Sequence, residues 1–481
     1  RGCRWASPLP TKEKAVATEI STELAKKIQE ETGQNVYLCY QCVKCTSGCP
    51  MAEHFDLEPN QVMRMVQFGD ESVLECTTIW TCASCLTCST RCPQGLDIAG
   101  VMDALRIESR RQGKAAVKDA TTFNDIFLHD IKLLGRLYEP ALLGERNLRF
   151  GRLMQDMDMG IPMLRKGKLN LIPSIVPAPL KVPKNVKQVE PAENRIAYYP
   201  GCSLHSTGAE FDVSTKAVCK ELGLELVEPD GWVCCGSSPA HNTDHVLAAA
   251  YPIKNLSLIE KSGLKQVAAP CSSCYSRFKL ASHAVEADAH LADEVEHMIG
   301  YRYQNSVEVQ HMLDTILTKI GLDKIAARVT KPLKGLRVAC YYGCLYSRPP
   351  AITEAEHPEY PMTMDRLMRA LGAEPIDWNG KTDCCGGSVV FSQVEPALAL
   401  VRKVLEDAHA HGADVIATVC PLCDSNLDAR QVQIKGLDFK MPILYATQLM
   451  ALAFGLDEKS MLLKKCIVDP HPLLHEKGFV A

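Results

Sequence analysis

The chain has 481 residues, 46% hydrophobic and 23% charged, enough for about three domains of roughly 150 residues each. Its formal net charge of −4 is small for that length, which excludes a basic field for nucleic acid and an acidic tail. No apolar run approaches the ~18 residues of a membrane helix. The best, Ala446 to Leu456, is broken early, and the opening RGCRWASPLP has no apolar signal segment, so no direct membrane insertion and a cytoplasmic location are expected. The unusual number is 23 cysteines, which without an export signal argues for metal or redox chemistry rather than a disulfide scaffold.

In chain order, Ile20, Leu24 and Ile28 lie four apart with Glu23 and Lys27 offset, predicting an amphipathic helix that covers the segment after it. CYQCVKCTSGCP then places Cys39, Cys42, Cys45 and Cys49 in the pattern C-x2-C-x2-C-x3-C-P, and CASCLTCSTRCP repeats it with Cys82, Cys85, Cys88 and Cys92. This is the spacing of bacterial ferredoxins, twice. Cysteines three apart on a tight loop point inward around a cubane cluster, whereas zinc sites usually pair two separated C-x2-C knuckles. In two-cluster ferredoxins the fourth cysteine of each run serves the other cluster, which groups Cys39, Cys42, Cys45 and Cys92 at one centre and Cys82, Cys85, Cys88 and Cys49 at the other. Helical patterns follow each run, Glu58 to Gly69 and Asp97 to Gly113, and the stripe Val62, Met63, Met65 and Val66 reads as core.

From Lys114 to Asn194 there are no cysteines, and Ile172 to Asn194 carries five prolines and several lysines. This composition predicts a helical extension and a linker with a solvated basic face.

The second half is duplicated: RIAYYPGCSL matches RVACYYGCLY, ELGLELVEP matches ALGAEPIDW, VCCGSS matches DCCGGS, and GLKQVAAPCSSC matches GADVIATVCPLC. Each copy holds five cysteines: Cys202, Cys234, Cys235, Cys271 and Cys274 in the first, Cys344, Cys384, Cys385, Cys420 and Cys423 in the second. Five thiolates are one too many for an ordinary cubane. Gly236 and Gly386 are expected to let the backbone pass close to a centre in which a cysteine bridges irons. Short β-branched runs alternate with helical stretches, which predicts parallel α/β units with the cysteines at the strand ends.

These motifs carry a resemblance. The second half resembles HdrB, the heterodisulfide reductase component whose CCG motifs bind noncubane [4Fe-4S] clusters, and the first half resembles HdrC with its two cubanes. Together they look like an HdrC–HdrB fusion. The expected fold is a helical two-cluster ferredoxin-like domain (residues 1–113), a helical extension with a Pro-rich linker (114–194) and two α/β CCG modules (195–335 and 336–481). The resemblance implies two cubane clusters on the eight ladder cysteines and two noncubane clusters on the ten module cysteines. Iron–sulfur subunits of glycolate, lactate or glycerol-3-phosphate oxidation lack some of these ten.

The resemblance also implies the chemistry. Two clusters facing one cavity would each hold one sulfur as the heterodisulfide of coenzymes M and B opens, so that single electrons reduce a two-electron bond. Electrons would come from a FAD-containing flavoprotein of the HdrA type, with hydrogenase- or dehydrogenase-type subunits, in a large electron-bifurcating or confurcating hetero-oligomer. No G-x-G-x-x-G opens a helix here, so flavin is expected on the partner. Two other family roles stay open: an electron conduit without its own substrate, as in the class II benzoyl-CoA reductase complex, and a quinone- or cytochrome-linked role like that of HdrD. Leu345 stands where methanogen HdrB proteins often carry histidine, leaving His205 and Arg348 as candidate polar handles on a small thiol or disulfide. Cys3, Cys76, Cys219, Cys340 and Cys466 fall outside every motif, and Cys219 and Cys340 are expected to be packing residues.

Overall fold

The computed structural model describes residues 22–480, so Cys3 and Ile20 lie outside the described residues. The first helix runs Glu23–Thr32 and buries Leu24 and Ile28 against the helices Pro59–Phe68 and Ile98–Arg111. Val62, Met63 and Val66 are fully buried in the same core. Helix Pro59–Phe68 begins on a proline, whose missing N–H is no loss in a first turn, and ends at Gly69 in the left-handed conformation. Its Gln67 reaches back to the carbonyls of Val36 and Cys39, 2.8 Å each, and so fixes the start of the first cysteine ladder.

Each repeat folds as a four-stranded parallel sheet. The first contains β1 (Arg195–Tyr198), β2 (Glu225–Val227), β3 (Gln266–Ala269) and β4 (Glu308–His311) in the order β2-β1-β3-β4. The second contains β5 (Arg337–Tyr341), β6 (Glu374–Pro375), β7 (Val415–Thr418) and β8 (Ile443–Tyr445) in the order β6-β5-β7-β8. Strand β7 is buried throughout, as a parallel strand covered by helices on both faces must be. In both sheets the strand order reverses between the first and third strands, and that switch point opens a crevice at their carboxyl ends. Cys202 follows β1 and Cys271 follows β3, while Cys344 follows β5 and Cys420 follows β7.

The two modules share one apolar core. Helix Ala209–Glu221, after β1, packs on helix Ala446–Ala453, after β8. Phe211 stacks on Tyr445 at 4.1 Å, and the Ser214 and Thr447 hydroxyls meet at 2.7 Å. In return, helix Leu322–Ala327, beyond β4, packs on helix Thr363–Ala370, after β5. The modules therefore present related faces to each other about an approximate two-fold axis.

The Pro-rich stretch differs from the expected linker. It is strapped to the extension helix Lys118–Leu134 by a backbone bond from Val176 to Leu134, and to the first module by bonds from Val182 to Ile299 and Val189 to Ser262, each 2.8 or 2.9 Å. Prolines lack an N–H, and here the valines between them supply the donors. Lys181, Lys184 and Lys187 do face solvent. Cys219 and Cys340 are fully buried. Among the described residues no helix is long and apolar enough to cross a membrane.

Candidate iron–sulfur site

The two ladders have the same backbone. Gln41 and Val43 in the first, and Ser84 and Leu86 in the second, hold left-handed φ angles of 62°, 65°, 47° and 61°. A β-branched residue such as Val43 seldom adopts this region, and such strain persists only where the surroundings enforce it. Here it coils each loop so that successive thiols converge. Cys49, Cys82, Cys85 and Cys88 line one cavity of about 380 Å³. Burial raises the Cys49 and Cys88 thiols, and the neighbouring Cys82 and Cys85 push both further. At the other ladder Cys42 and Cys92 both act on Tyr40, whose hydroxyl is raised by desolvation first and by these thiols after it.

The ten module cysteines gather into neighbouring groups of thiols. In the first module the Cys234 thiol lies beside those of Cys202 and Cys235, the Cys235 and Cys274 sulfurs are 3.4 Å apart, and Cys274 neighbours Cys271. In the second, Cys344 touches Cys384, the Cys385 and Cys423 sulfurs are 3.5 Å apart, and Cys423 touches Cys420. Two further contacts join these groups. Cys271 meets Cys420, its counterpart across the approximate two-fold axis, and Cys384 meets Cys85 of the second ladder.

Equivalent side chains hold both doublet loops. The Tyr199 hydroxyl donates to the Val233 carbonyl at 2.7 Å, and the Tyr341 hydroxyl donates to the Asp383 carbonyl at 2.6 Å. Gly236 and Gly386 sit at φ 83° and 76°, and a Cβ there would meet Ala240 and Ala397 at 2.7 and 2.9 Å. Their role is to seat the loop on the following helix. Two other glycines make room at the sulfurs: a Cβ on Gly201 would stand 3.2 Å from the Cys274 sulfur, and one on Gly343 would stand 3.0 Å from that of Cys423. The G-C pair shared by both repeats was the available signal for these two positions.

A cavity of about 550 Å³, partly open to solvent, lies against the second module's thiols. Leu345 lines it, with Ser272, Ser273 and Ser388. Its charged residues come from the first module. Arg277 faces it with no ion pair or hydrogen bond among the described residues. His241 faces it with Nδ1 2.7 Å from Asp103 Oδ2. Burial lowers the His241 imidazole, and Asp103 offsets part of that. Asp103 belongs to helix Ile98–Arg111 and pairs with the buried Arg106, which also donates to the Cys82 carbonyl at 2.8 Å and to Asn242 Oδ1 at 2.8 Å. One polar network thus runs from the second ladder to the cavity wall.

The two candidate polar handles, Arg348 and His205, do not line this cavity. Arg348 is neither a surface loop residue nor free for a ligand: it is 2% exposed and donates to Thr87, Thr382 and Glu359. His205 pairs with Glu228 at 3.2 Å and packs edge-on against Trp232. Both were near cysteines in sequence, but their side chains are consumed by neighbouring elements. Arg277, His241 and Asp103 come from three different helices, so no local pattern in the chain marks them as a group. Only the position of Arg277, one helical turn after Cys274, hinted at a shared face.

Comparison with known proteins agrees with this division. The cysteine-rich domain family CCG matches residues 196–279 and 338–428, and the 4Fe-4S dicluster domain family matches residues 38–97. The chain is 29% identical over 283 residues to the 8-methylmenaquinol:fumarate reductase membrane anchor subunit of Wolinella succinogenes, covering 58% of this chain and 98% of that one. It is 26% identical to the HdrB component of the ferredoxin/F(420)H(2)-dependent CoB-CoM heterodisulfide reductase of Methanosarcina acetivorans, covering 54% and 89%. A 121-residue stretch, 23% of the chain, is 32% identical to an HdrC-type iron-sulfur component of the CoB–CoM heterodisulfide reductase of Methanocaldococcus jannaschii, 65% of which it covers. A crystal structure of a hypothetical protein from Helicobacter pylori shares the fold with a TM-score of 0.57 at 10% identity, over 94% of this chain and 76% of that one.

Proposed function

We propose that this chain, an iron–sulfur protein of the heterodisulfide reductase HdrC/HdrB-like kind, takes in electrons at its dicluster end and delivers them to a paired site that reduces a small-molecule disulfide. Cys39, Cys42, Cys45 and Cys92 would hold one cubane and Cys82, Cys85, Cys88 and Cys49 the other. Cys202, Cys234, Cys235, Cys271 and Cys274 would hold one noncubane cluster, and Cys344, Cys384, Cys385, Cys420 and Cys423 its partner. When bound, such clusters supply one-electron transfer.

The observation that carries the reading is a pair of thiol contacts between units: second ladder to second module at Cys85 and Cys384, second module to first at Cys420 and Cys271. A disulfide RSSR′ takes two electrons and two protons to give RSH and R′SH. Two equivalent sites meeting on one axis suit a reaction that needs two single electrons together. The chain's own groups contribute charge and protons: Arg277 attracts an anionic substrate end into the cavity, and His241, oriented by Asp103, stands on its wall to protonate a released thiolate.

The entry face is the first ladder. Tyr37, Leu38, Tyr40 and Val43 are 51%, 49%, 59% and 43% exposed around the exposed Cys42. A cluster of exposed apolar side chains marks a protein partner, and the partner fitting this reading is a FAD-containing flavoprotein with further redox proteins in one large assembly.

The test is electron paramagnetic resonance of the anaerobically purified holoprotein titrated with thiols and disulfides. A changed cluster signal is expected, and a spectrum indifferent to every thiol sinks the disulfide reading. A second reading, electron exchange with a quinol-linked partner, has in its favour the name of the Wolinella relative. Copurification with a b-type cytochrome rather than a flavoprotein would select it.

A further inference from the structure

The two ladders differ at one equivalent position, and the differing residues meet. Immediately before the fourth cysteine the first ladder has Gly48 and the second has Arg91. A Cβ on Gly48 would overlap the Arg91 guanidinium and stand 3.0 Å from Arg91 Cδ. Gly48 has a negative φ of −100° that other residues adopt freely, so the space taken by Arg91 is what requires a glycine there. Arg91 thus lies over the backbone that leads into Cys49, while its own backbone leads into Cys92. With the fourth cysteines exchanged between the two centres, Arg91 stands where the ladders cross.

One carboxylate and a second arginine complete the arrangement. In the second module 18 residues (345–362) separate Cys344 from helix Thr363–Ala370, against 6 (203–208) between Cys202 and helix Ala209–Glu221 in the first. The longer loop carries Glu359 to the ladders. Its Oε2 accepts from Arg91 Nε at 2.9 Å and its Oε1 from Arg348 Nη2 at 3.0 Å. Arg348 Nη1 donates in turn to Thr87 Oγ1 at 2.9 Å and to the Thr382 carbonyl at 3.0 Å. Thr87 Oγ1 is 3.3 Å from the Cys85 sulfur, and Thr382 stands two residues before Cys384. Thr382 Oγ1 also donates to the Glu359 carbonyl at 3.2 Å, which fixes the loop.

The charges of this row do not cancel. Burial raises the Glu359 carboxyl, and its two arginines more than offset that, so it is ionised. Two guanidiniums on one carboxylate leave one positive charge over. Arg106, which holds the Cys82 carbonyl, is matched by Asp103 and adds none. Arg348 is 2% exposed and weakly screened, whereas the Arg91 side chain, 41% exposed, is partly screened by water.

The potential of an iron–sulfur centre follows its net charge, hydrogen bonds and exposure, and a nearby positive charge favours the form that has gained an electron. We propose that Arg91, Glu359 and Arg348 are positioning residues that set a potential: their surplus positive charge, at the ladder crossing and beside the Cys85–Cys384 contact, favours the electron on the second-ladder centre, from which it passes to the second module. Each transfer moves one electron and makes or breaks no bond. The assignment rests on the cluster-bearing part of the reading above and not on the disulfide.

The experiment is stepwise anaerobic reduction of the holoprotein at set potentials, followed by electron paramagnetic resonance, with iron analysis of every variant. Arg91→Gln should shift the reduction equilibrium of the second-ladder centre against the electron by roughly three- to tenfold, the upper figure being about 59 mV for a one-electron couple. Glu359→Gln, which alters no residue of the dicluster domain, should shift it the other way, and Arg91→Lys should stay near the unaltered value. Opposite signs separate charge from loosened packing, which would move both neutral variants alike. Unchanged midpoints, or shifts of one sign in Arg91→Gln and Glu359→Gln, overturn the assignment. If Arg91→Gln fails to fold or to retain its iron, the sign of the shift in Glu359→Gln decides alone. Opposite shifts without any response to thiols count against the disulfide reading only, whereas ladders that hold no iron overturn both.

Discussion

The two CCG modules have the same strand order, the same tyrosine clamp on the doublet loop and the same five cysteines, yet they line unlike cavities. At equivalent places after the doublet stand His241 in the first and Phe391 in the second. At equivalent places after the last cysteine stand Arg277 and Asn426. His241 and Arg277 face the cavity at the second module's thiols, whereas Phe391 and Asn426 face a neighbouring apolar chamber. The neighbours differ to match. The cavity with Arg277 and His241 is bordered by Ala83 and Ser84 of the dicluster domain, and the chamber by the extension. Duplication preserved the parts that hold thiols, while a few wall positions and the covering elements diverged to give each side its own chemistry.

The largest expected effect separates the modules by connection. Cys384→Ala and Cys234→Ala should each lower the iron content by about four atoms. Only the first should break the contact through which the dicluster domain reaches both modules. Iron analysis together with resonance spectra during stepwise reduction by a protein electron donor distinguishes them, and identical behaviour of the two variants breaks the proposed order.

Next in size are the two arginines that bind the dicluster domain to the modules. Arg106→Met leaves Asp103 and His241 without their buried cation and should cost about 3–5 kcal/mol in denaturant unfolding. Arg348→Met should cost less, about 1–3 kcal/mol, because its carboxylate partner Glu359 is 38% exposed and can be hydrated. The reverse ranking would mean that the second module, not the first, is the firmer anchor.

The third effect is a pH slope. Burial raises the Glu139 carboxyl from its ordinary 4.5 to about 7 in the folded chain. Below 4.5 both folded and unfolded states are protonated. Between 4.5 and 7 only the unfolded state releases the proton, so stability falls as pH rises, and above 7 the loss is complete. Glu139→Gln should flatten that part of the profile, measured as the unfolding midpoint against pH. The smallest effect belongs to Ser388→Ala, which removes a 2.7 Å bond to the Ala83 carbonyl and should cost about 1 kcal/mol.

Much of this architecture was legible in the chain. The ladder spacing, the duplication and the strand starts are local patterns, and cysteines three apart on a coiled loop have few ways to point. Gly201 and Gly343 were visible as G-C pairs in both repeats, although their function, clearing space at Cys274 and Cys423, emerged only from the folded positions. Arg348 misled because proximity in sequence to a cysteine says nothing of which neighbour claims a long side chain.

The amino-acid sequence by itself determined which thiols belong to which local loop and that the second half is a repeated parallel α/β unit, because both depend on short-range spacing and periodicity. Only the tertiary structure decided that Cys85 meets Cys384, that Cys271 meets Cys420, and that Asp103, His241 and Arg277 face one cavity while Arg430 faces another. Those meetings depend on how helices from distant segments pack and on which buried charges find partners there, and no local pattern encodes either.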